Sequence, residues 1–308
     1  MRNLRVVFAG SPAAAVPSLQ AIAATPHDVV AAVTREDALL GRKRIRTPTP
    51  VATAAEELGI PVLKANRLSG EPTERIVELK PDLGVIVAYG GLVREPLLSA
   101  PRLGWINLHF SLLPRWRGAA PVQRAIIAGD EITGATVFRL VEELDAGPVL
   151  GMMTQSVGKN ETAGHLLESL ATAGSELLVS VVAAMAQGDI RSEEQVGDVT
   201  LAPKLTIDDG RISWNASAAT VHHRIRGVTP EPGAFTTVGE DRLKILDATI
   251  ARDGLRLAVG HMESDGGRVL VGTETDPIEL ITIQPAGKKP MKATDWWRGR
   301  RGREAVAE

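Results

Sequence analysis

The hydrophobic positions change rhythm partway along the chain. Residues 4–9, 29–34, 60–63 and 83–88 are short apolar runs of strand length. Unbroken apolarity of that kind marks strands covered on both faces, as in a parallel sheet. Between these runs the spacing turns helical. In 13–24, Val16, Leu19 and Ile22 recur at three-residue steps; 51–58 is closed by Gly59, and 72–80 adds a third helical pattern. Residues 132–140 and 149–157 predict two more strands joined by a long loop, and 162–187 a long helix, uncharged over much of its length, packed on the sheet. Strands and helices in alternation predict an α/β domain over residues 1–188, with a mostly parallel sheet.

The rhythm is lost after Gly188. Residues 189–208 are polar and weakly periodic, with Pro203 among them, and predict a linker. A second domain then occupies 209–308. It opens with a short helix over 221–228, and from Phe235 onward AFTTV, LKILDATI, RLAVG, RVLVGT and IELITIQ form short runs punctuated by Gly, Asp and Pro. That spacing predicts a small β-barrel. No internal repeat or low-complexity tract interrupts the chain.

Composition narrows the chemistry. At 308 residues, with 44% hydrophobic and 23% charged, the chain can bury two cores and is not a disordered protein. Cysteine is absent, which removes disulfides, thiolate catalysis and thiolate metal sites. His222 and His223 are adjacent and point to different sides of a helix, and no HxxxH or HxH spacing occurs, so no metal is expected. His27 and His165 read as surface residues, and Tyr89 as either a core-capping side chain or a border of a ligand site. The opening strand runs into Gly10 without GxGxxG, which disfavours a nicotinamide cofactor. MRNLRVVFAG is too short and too soon broken for a signal peptide or membrane span, so a cytoplasmic protein with no membrane partner is expected. The net charge of -2 argues against a general nucleic-acid or DNA binder. Charge is locally uneven, however. GRKRIR at 41–46 is one basic run, and Lys288, Lys289, Lys292, Arg298, Arg300, Arg301 and Arg303 form another, two patches able to face phosphate.

The stretch with the most chemistry is WINLHFSLLPRWRGAAPVQ, residues 105–123. Side chains alternate along a strand, so Asn107 and His109 share one face while Ile106 and Leu108 take the other. Pro114 cannot continue a ladder, and the strand must turn before it, which leaves the amide and the imidazole at its carboxyl end. That is where open α/β sheets bind ligands. Pro121 suits the first turn of the following helix. EELDAGPV at 142–149 supplies a turn carrying Asp145, a carboxylate able to orient a histidine base. Trp296 and Trp297 suit packing against the second domain better than base stacking.

NLHFSLLPRWRGAAPVQ, with LDAGPV downstream, FAGSP near the start, VIVAYGGLV and the late IQPAGKKPM, resembles the folate-dependent formyltransferases along nearly the whole chain. The resemblance implies a Rossmann-like N-terminal sheet with flanking helices and a C-terminal OB-like barrel. It implies a catalytic trio of Asn107, His109 and Asp145, and a folate contact at Ser111, Leu112, Leu113 and Pro114. The reaction implied is transfer of a formyl group from 10-formyltetrahydrofolate, without metal, to the α-amine of initiator methionyl-tRNA. Arg42, Lys43 and Arg44 would contact the tRNA, and 209–308 would be its binding domain. Ser11 and Ala146 stand where the family often has threonine, and the loop after Thr34 lacks prolines often found there. Three rivals remain: a formyltransferase acting on an amino sugar nucleotide, one acting on glycinamide ribonucleotide, which resembles only the first domain, and a non-catalytic RNA-binding adaptor.

Overall fold

A computed structural model of the chain describes residues 3–41, 44–252, 254–300 and 305–308. It divides into two compact units. The first comprises Met1–Ala119, Thr133–Gln155 and Leu167–Ala202, the second Ala120–Ile132, Ser156–Leu166 and Pro203–Glu308.

In chain order the elements up to the end of the first unit are β1 (Arg5–Gly10), α1 (Val16–Ala23), β2 (Asp28–Thr34), β3 (Ala38–Leu40), β4 (Ile45–Thr47), α2 (Pro50–Glu57), β5 (Val62–Lys64), α3 (Glu71–Glu78), β6 (Leu83–Val87), β7 (Trp105–His109), β8 (Arg117–Gly118), α4 (Pro121–Ala128), β9 (Ile132–Arg139), β10 (Val149–Ser156), α5 (Ala163–Gln187) and β11 (Leu201–Ala202). Seven strands form one sheet in the order β10-β9-β7-β6-β1-β2-β5. β5, β2, β1, β6 and β7 run parallel to one another, and β9 is antiparallel to β7. The mostly parallel sheet is the one the apolar runs predict. All five residues of β6 are buried. Gly84 is required there because a Cβ would lie 2.1 Å from the Trp105 ring. That ring is locked in turn by its Nε1–H donating to the Leu97 carbonyl at 2.8 Å. Thr49 starts α2 by accepting the Ala52 N–H at 3.1 Å, with Pro50 at the first helical position.

Three features depart from the sequence reading. β3 and β4 pair as antiparallel strands where a basic loop was read, and their Leu39 and Ile45 are more than half exposed and give no alternation to read. Arg42 and Lys43 lie outside the described residues; Arg44 is exposed, with φ of 48°. His27, expected at the surface, is 9% exposed, and its Nδ1 accepts the Leu4 N–H at 3.3 Å, an amide just ahead of β1. The stretch read as the start of a linker is hydrogen-bonded into the first unit as far as Ala202.

The second unit adds α6 (Ala218–Gly227), β12 (Ala234–Val238), β13 (Asp241–Ile250), β14 (His261–Asp265), β15 (Arg268–Val271), β16 (Ile278–Pro285), β17 (Met291–Lys292), α7 (Ala293–Gly299) and β18 (Ala305–Val306). Its strands follow the order β12-β13-β16-β15-β14-β18, with β17 paired to β16. The ring closes where Val238 bridges Ala307 and Thr237 exchanges two 2.9 Å hydrogen bonds with Glu308. Inside lie Trp214, Val221, Ile225, Ile245, Val269 and Ile283, against which Trp296 and Trp297 of α7 pack, partly buried. RLAVG is not a strand. The strand is the polar β14, whose one buried residue, Met262, leaves too little apolar pattern to read.

His222 of α6 is buried, and its Nε2 lies 3.2 Å from the Ala248 carbonyl. Burial first, then the positive charge of Arg226, lowers its pKa to about 4. The unfolded chain protonates this ring near its ordinary value, so the stability it contributes is complete above pH 6.5 and is lost as pH falls towards 4. In urea titrations, wild type should lose roughly 2 kcal/mol more than His222→Gln between pH 7.5 and pH 5, the glutamine keeping a donor for Ala248 without the charge change. Parallel losses in the two proteins would refute this.

Candidate active site

β7 is paired on both sides, with Asn107 opposite Ile86 of β6 and Phe138 of β9, and His109 opposite Thr136. One face is spent on packing. Ile106 and Leu108 are buried, and Gly174 of α5 approaches Leu108 so closely that a Cβ there would lie 3.2 Å from its methyl group. The other face carries the polar pair. The Asn107 side chain is partly exposed and makes no hydrogen bond among the described residues. His109 is 6% exposed, its ring edge-on to Phe138 at 6.4 Å.

Beyond β7 the chain turns sharply, and the turn is braced from below. Thr136 Oγ1 donates to the Ser111 carbonyl at 2.6 Å and accepts the Leu113 N–H at 3.3 Å, while Ser111 Oγ donates to the Arg115 carbonyl at 2.6 Å. Ser111, Leu113 and Pro114 are buried; Leu112 is partly exposed. Trp116 then takes φ of 64°, and its carbonyl lies 2.8 Å from His109 Nε2. Gly118, with φ of 124°, donates its N–H to Asp145 Oδ2 at 2.8 Å. The same oxygen stands 3.8 Å from His109 Nδ1. Both ring nitrogens thus face oxygen acceptors, which favours the imidazolium. Burial opposes it and is the larger effect, so the pKa of His109 lies below its ordinary value, with Asp145 and the Trp116 carbonyl pulling it back up.

The structure therefore brings His109 and Asp145 together and sets Asn107 on the strand face of His109, with 111–114 leading out of that strand. Arg44 stands on the separate β3–β4 hairpin. Tyr89 belongs to the core, its hydroxyl donating to the Ala65 carbonyl at 2.6 Å. Among the described residues no cluster of His, Asp and Glu is placed to hold a metal ion.

Sequence reading missed the strap that follows α5. Glu193 exchanges backbone hydrogen bonds of 2.7 and 2.9 Å with Val149. Thr200 accepts the Arg117 N–H at its carbonyl and the Trp116 N–H at Oγ1, both at 2.9 Å. β11 pairs with β8. Between these anchors Gln195 reaches both Arg117 and the Asp145 turn. These contacts are made by backbone and by polar side chains in an aperiodic stretch, so no hydrophobic rhythm announces them.

Residues 3–182 match the family model described as formyl transferase, and 204–301 match the formyl transferase C-terminal domain. The chain belongs to the formyl transferase family. It is 58% identical over 304 residues to the methionyl-tRNA formyltransferase of Clavibacter sepedonicus, covering 99% of this chain and 100% of that one. It is 57% identical to the protein of that name from Leifsonia xyli, over 98% of this chain and 99% of its relative. Among solved structures, the N-formyltransferase of Helicobacter canadensis in complex with folinic acid and dTDP-3-aminofucose matches with a TM-score of 0.69 at 17% identity, over 90% of this chain and 98% of that one. HypX of Aquifex aeolicus in complex with tetrahydrofolic acid matches with 0.64 at 16%, over 96% of this chain and 47% of that one. At such identities the likeness is one of fold.

At Gly118 a Cβ would lie 2.8 Å from the Ala202 carbonyl, at a backbone φ that side chains avoid. Gly118→Ala should cost about 1–3 kcal/mol in urea unfolding, because strain and clash fall on one residue. An unchanged midpoint would show that the β8–β11 pairing does not need glycine.

Proposed function

We propose that this formyltransferase moves the formyl group of 10-formyltetrahydrofolate to the α-amino group of initiator methionyl-tRNA, in the cytoplasm, yielding the formylated tRNA used to start translation. Relatives of that name match it from end to end. The observation that carries the chemistry is the Asn107 amide, without a hydrogen bond among the described residues, on the strand face of a buried histidine whose Nδ1 stands 3.8 Å from a carboxylate. An amine that attacks a formyl carbon sheds a proton, and the carbonyl oxygen gains negative charge. Asn107 donates a hydrogen bond to that oxygen. His109, kept neutral by burial at neutral pH, takes the amine proton. Once charged, the ring donates to the Trp116 carbonyl and turns Nδ1–H towards Asp145, which stabilises the proton in transit. The same proton then passes to the departing folate nitrogen, and His109 returns to its neutral form. Leu112 offers the turn's accessible apolar surface to the folate, while Ser111, Leu113 and Pro114 hold the turn's shape.

Acceptor binding falls to the basic run, through Arg42, Lys43 and Arg44, and to residues 209–308. Phosphate contacts need cations more than exact geometry, so reversal of all three charges to Glu should weaken tRNA binding and flatten its salt dependence, by a slope of roughly 0.9 for each duplex phosphate no longer neutralised. Binding with an unaltered slope would remove the basic run from the interface.

The decisive assay offers the purified chain 10-formyltetrahydrofolate with methionyl-tRNA and an amino sugar nucleotide in parallel. Product on the tRNA is expected. Product on the sugar alone would overturn the acceptor, and none on either would favour an RNA-binding adaptor. His109→Ala should lose about 100- to 10,000-fold in turnover and Asn107→Ala about 100- to 1,000-fold, with the fold kept. Wild-type turnover should decline only as pH drops below 6.5, since His109 titrates below its ordinary value.

A further inference from the structure

Gln195 spends its whole hydrogen-bonding capacity at this site. Its side-chain nitrogen donates to the carbonyl of Asp145 at 2.7 Å and to that of Gly147 at 2.9 Å. Its side-chain oxygen accepts from Arg117 Nε at 3.1 Å and Nη2 at 2.7 Å. Two donors and two lone pairs are all a glutamine has. Arg117 is held in turn, its Nη1 donating to Glu143 Oε1 at 3.1 Å. One side chain therefore ties the turn that bears Asp145 to the loop that bears Trp116 and Gly118.

That turn needs tying. Asp145 adopts φ of 46°, a left-handed conformation that costs an L-residue about 1–2 kcal/mol. Gly147 is packed so that a Cβ would fall 1.8 Å from the Arg139 carbonyl. With the carbonyls on either side of Ala146 fixed, the direction in which the Asp145 side chain leaves the backbone is fixed too. Its Oδ2 then meets the Gly118 N–H and faces His109. We propose that Gln195 is a positioning residue of the transfer reaction: gripped by Arg117, it holds the Asp145 turn so that the carboxylate stands against His109. This rests on the reading of Asp145 and His109 as the catalytic pair. Glutamine suits the task in a way its neighbours in shape and charge do not. Glutamate has no donor for the two carbonyls, lysine no acceptor for Arg117, and methionine neither.

The test uses the full chain with Gln195→Met, which keeps the volume and removes every polar contact, and Gln195→Glu, which keeps the grip of Arg117 but sets a carboxylate against two carbonyl oxygens. Each is made alone and in an Asp145→Asn background. Both single variants should lose about 10- to 100-fold in kcat, the scale set by displacing a catalytic group by about 1 Å, with KM for either substrate within about threefold. Asp145 is the charged group that raises the His109 pKa, so its displacement should move the acid limb of the pH profile lower. In the Asp145→Asn background either Gln195 substitution should change kcat by less than about threefold, since the route through the carboxylate is already cut. Full-sized losses in that background, or an acid limb that stays put while kcat falls, would overturn the inference and leave Gln195 a structural brace. Wild-type kcat in Gln195→Glu would overturn it as well. Wild-type turnover in Asp145→Asn itself would instead bring down the catalytic reading beneath it.

Discussion

The hydrogen bond from the Gly118 N–H to Asp145 Oδ2, 2.8 Å long, is the contact on which the site depends, because it joins two loops that β7 alone cannot hold together. Asn107 and His109 are delivered by a strand, whose geometry is imposed by neighbours on both sides. Asp145 comes from a loop between β9 and β10 and has no such guarantee. To make the bond, Trp116 and Asp145 take positive φ, at a cost of about 1–3 kcal/mol each, and Gly118 takes a φ of 124° that is open to glycine. The sheet cannot offset this by itself. Compensation comes from groups that gain only when the two loops are in register: Thr200 against Trp116 and Arg117, β11 against β8, and Gln195 against both sides.

The electrostatics of His109 follow from the same arrangement. A nearly enclosed imidazole resists charge, and two oxygen acceptors at its nitrogens favour it. In the proposed mechanism neither tendency alone would serve His109 as a proton carrier. Burial without acceptors gives a ring that never takes the proton, and acceptors without burial give one that never releases it. Here desolvation prevails, with Asp145 at 3.8 Å rather than in direct hydrogen-bond contact. The ring rests neutral, and the acceptors stand ready for the protonated form.

How far the sequence carries is clear from particular residues. The pairing of Asn107 with His109 on one face was legible because strand alternation is a two-residue rule, and Pro114 marks where the strand must stop. β1, β2 and β6 were legible because a strand buried on both faces has no choice but to be apolar. The β3–β4 hairpin was not, since its Leu39 and Ile45 are exposed and nothing rewards a pattern. β14 was missed for a related reason: a barrel strand with Met262 as its one buried side chain looks like a polar loop. His27 was misplaced because its burial serves a backbone amide, Leu4 N–H, and sequence patterns record side chains rather than unpaired amides.

Gln195 shows the limit in sharper form. The sequence supplies every member of the proposed trio before residue 146, and the last long helix ends at Gln187, so a boundary at 188 looks natural. Yet the chain returns to the site before it leaves. Glu193 pairs with Val149, Thr200 with the loop after Pro114, and Ala202 comes so close to Gly118 that only glycine fits. None of these contacts buries a large apolar side chain, and Val196 in their midst is 88% exposed. Stability in this stretch comes from hydrogen bonds that gain little individually and hold register collectively. A domain defined by hydrophobic rhythm ends with α5, whereas one defined by what keeps Asp145 facing His109 ends with Ala202.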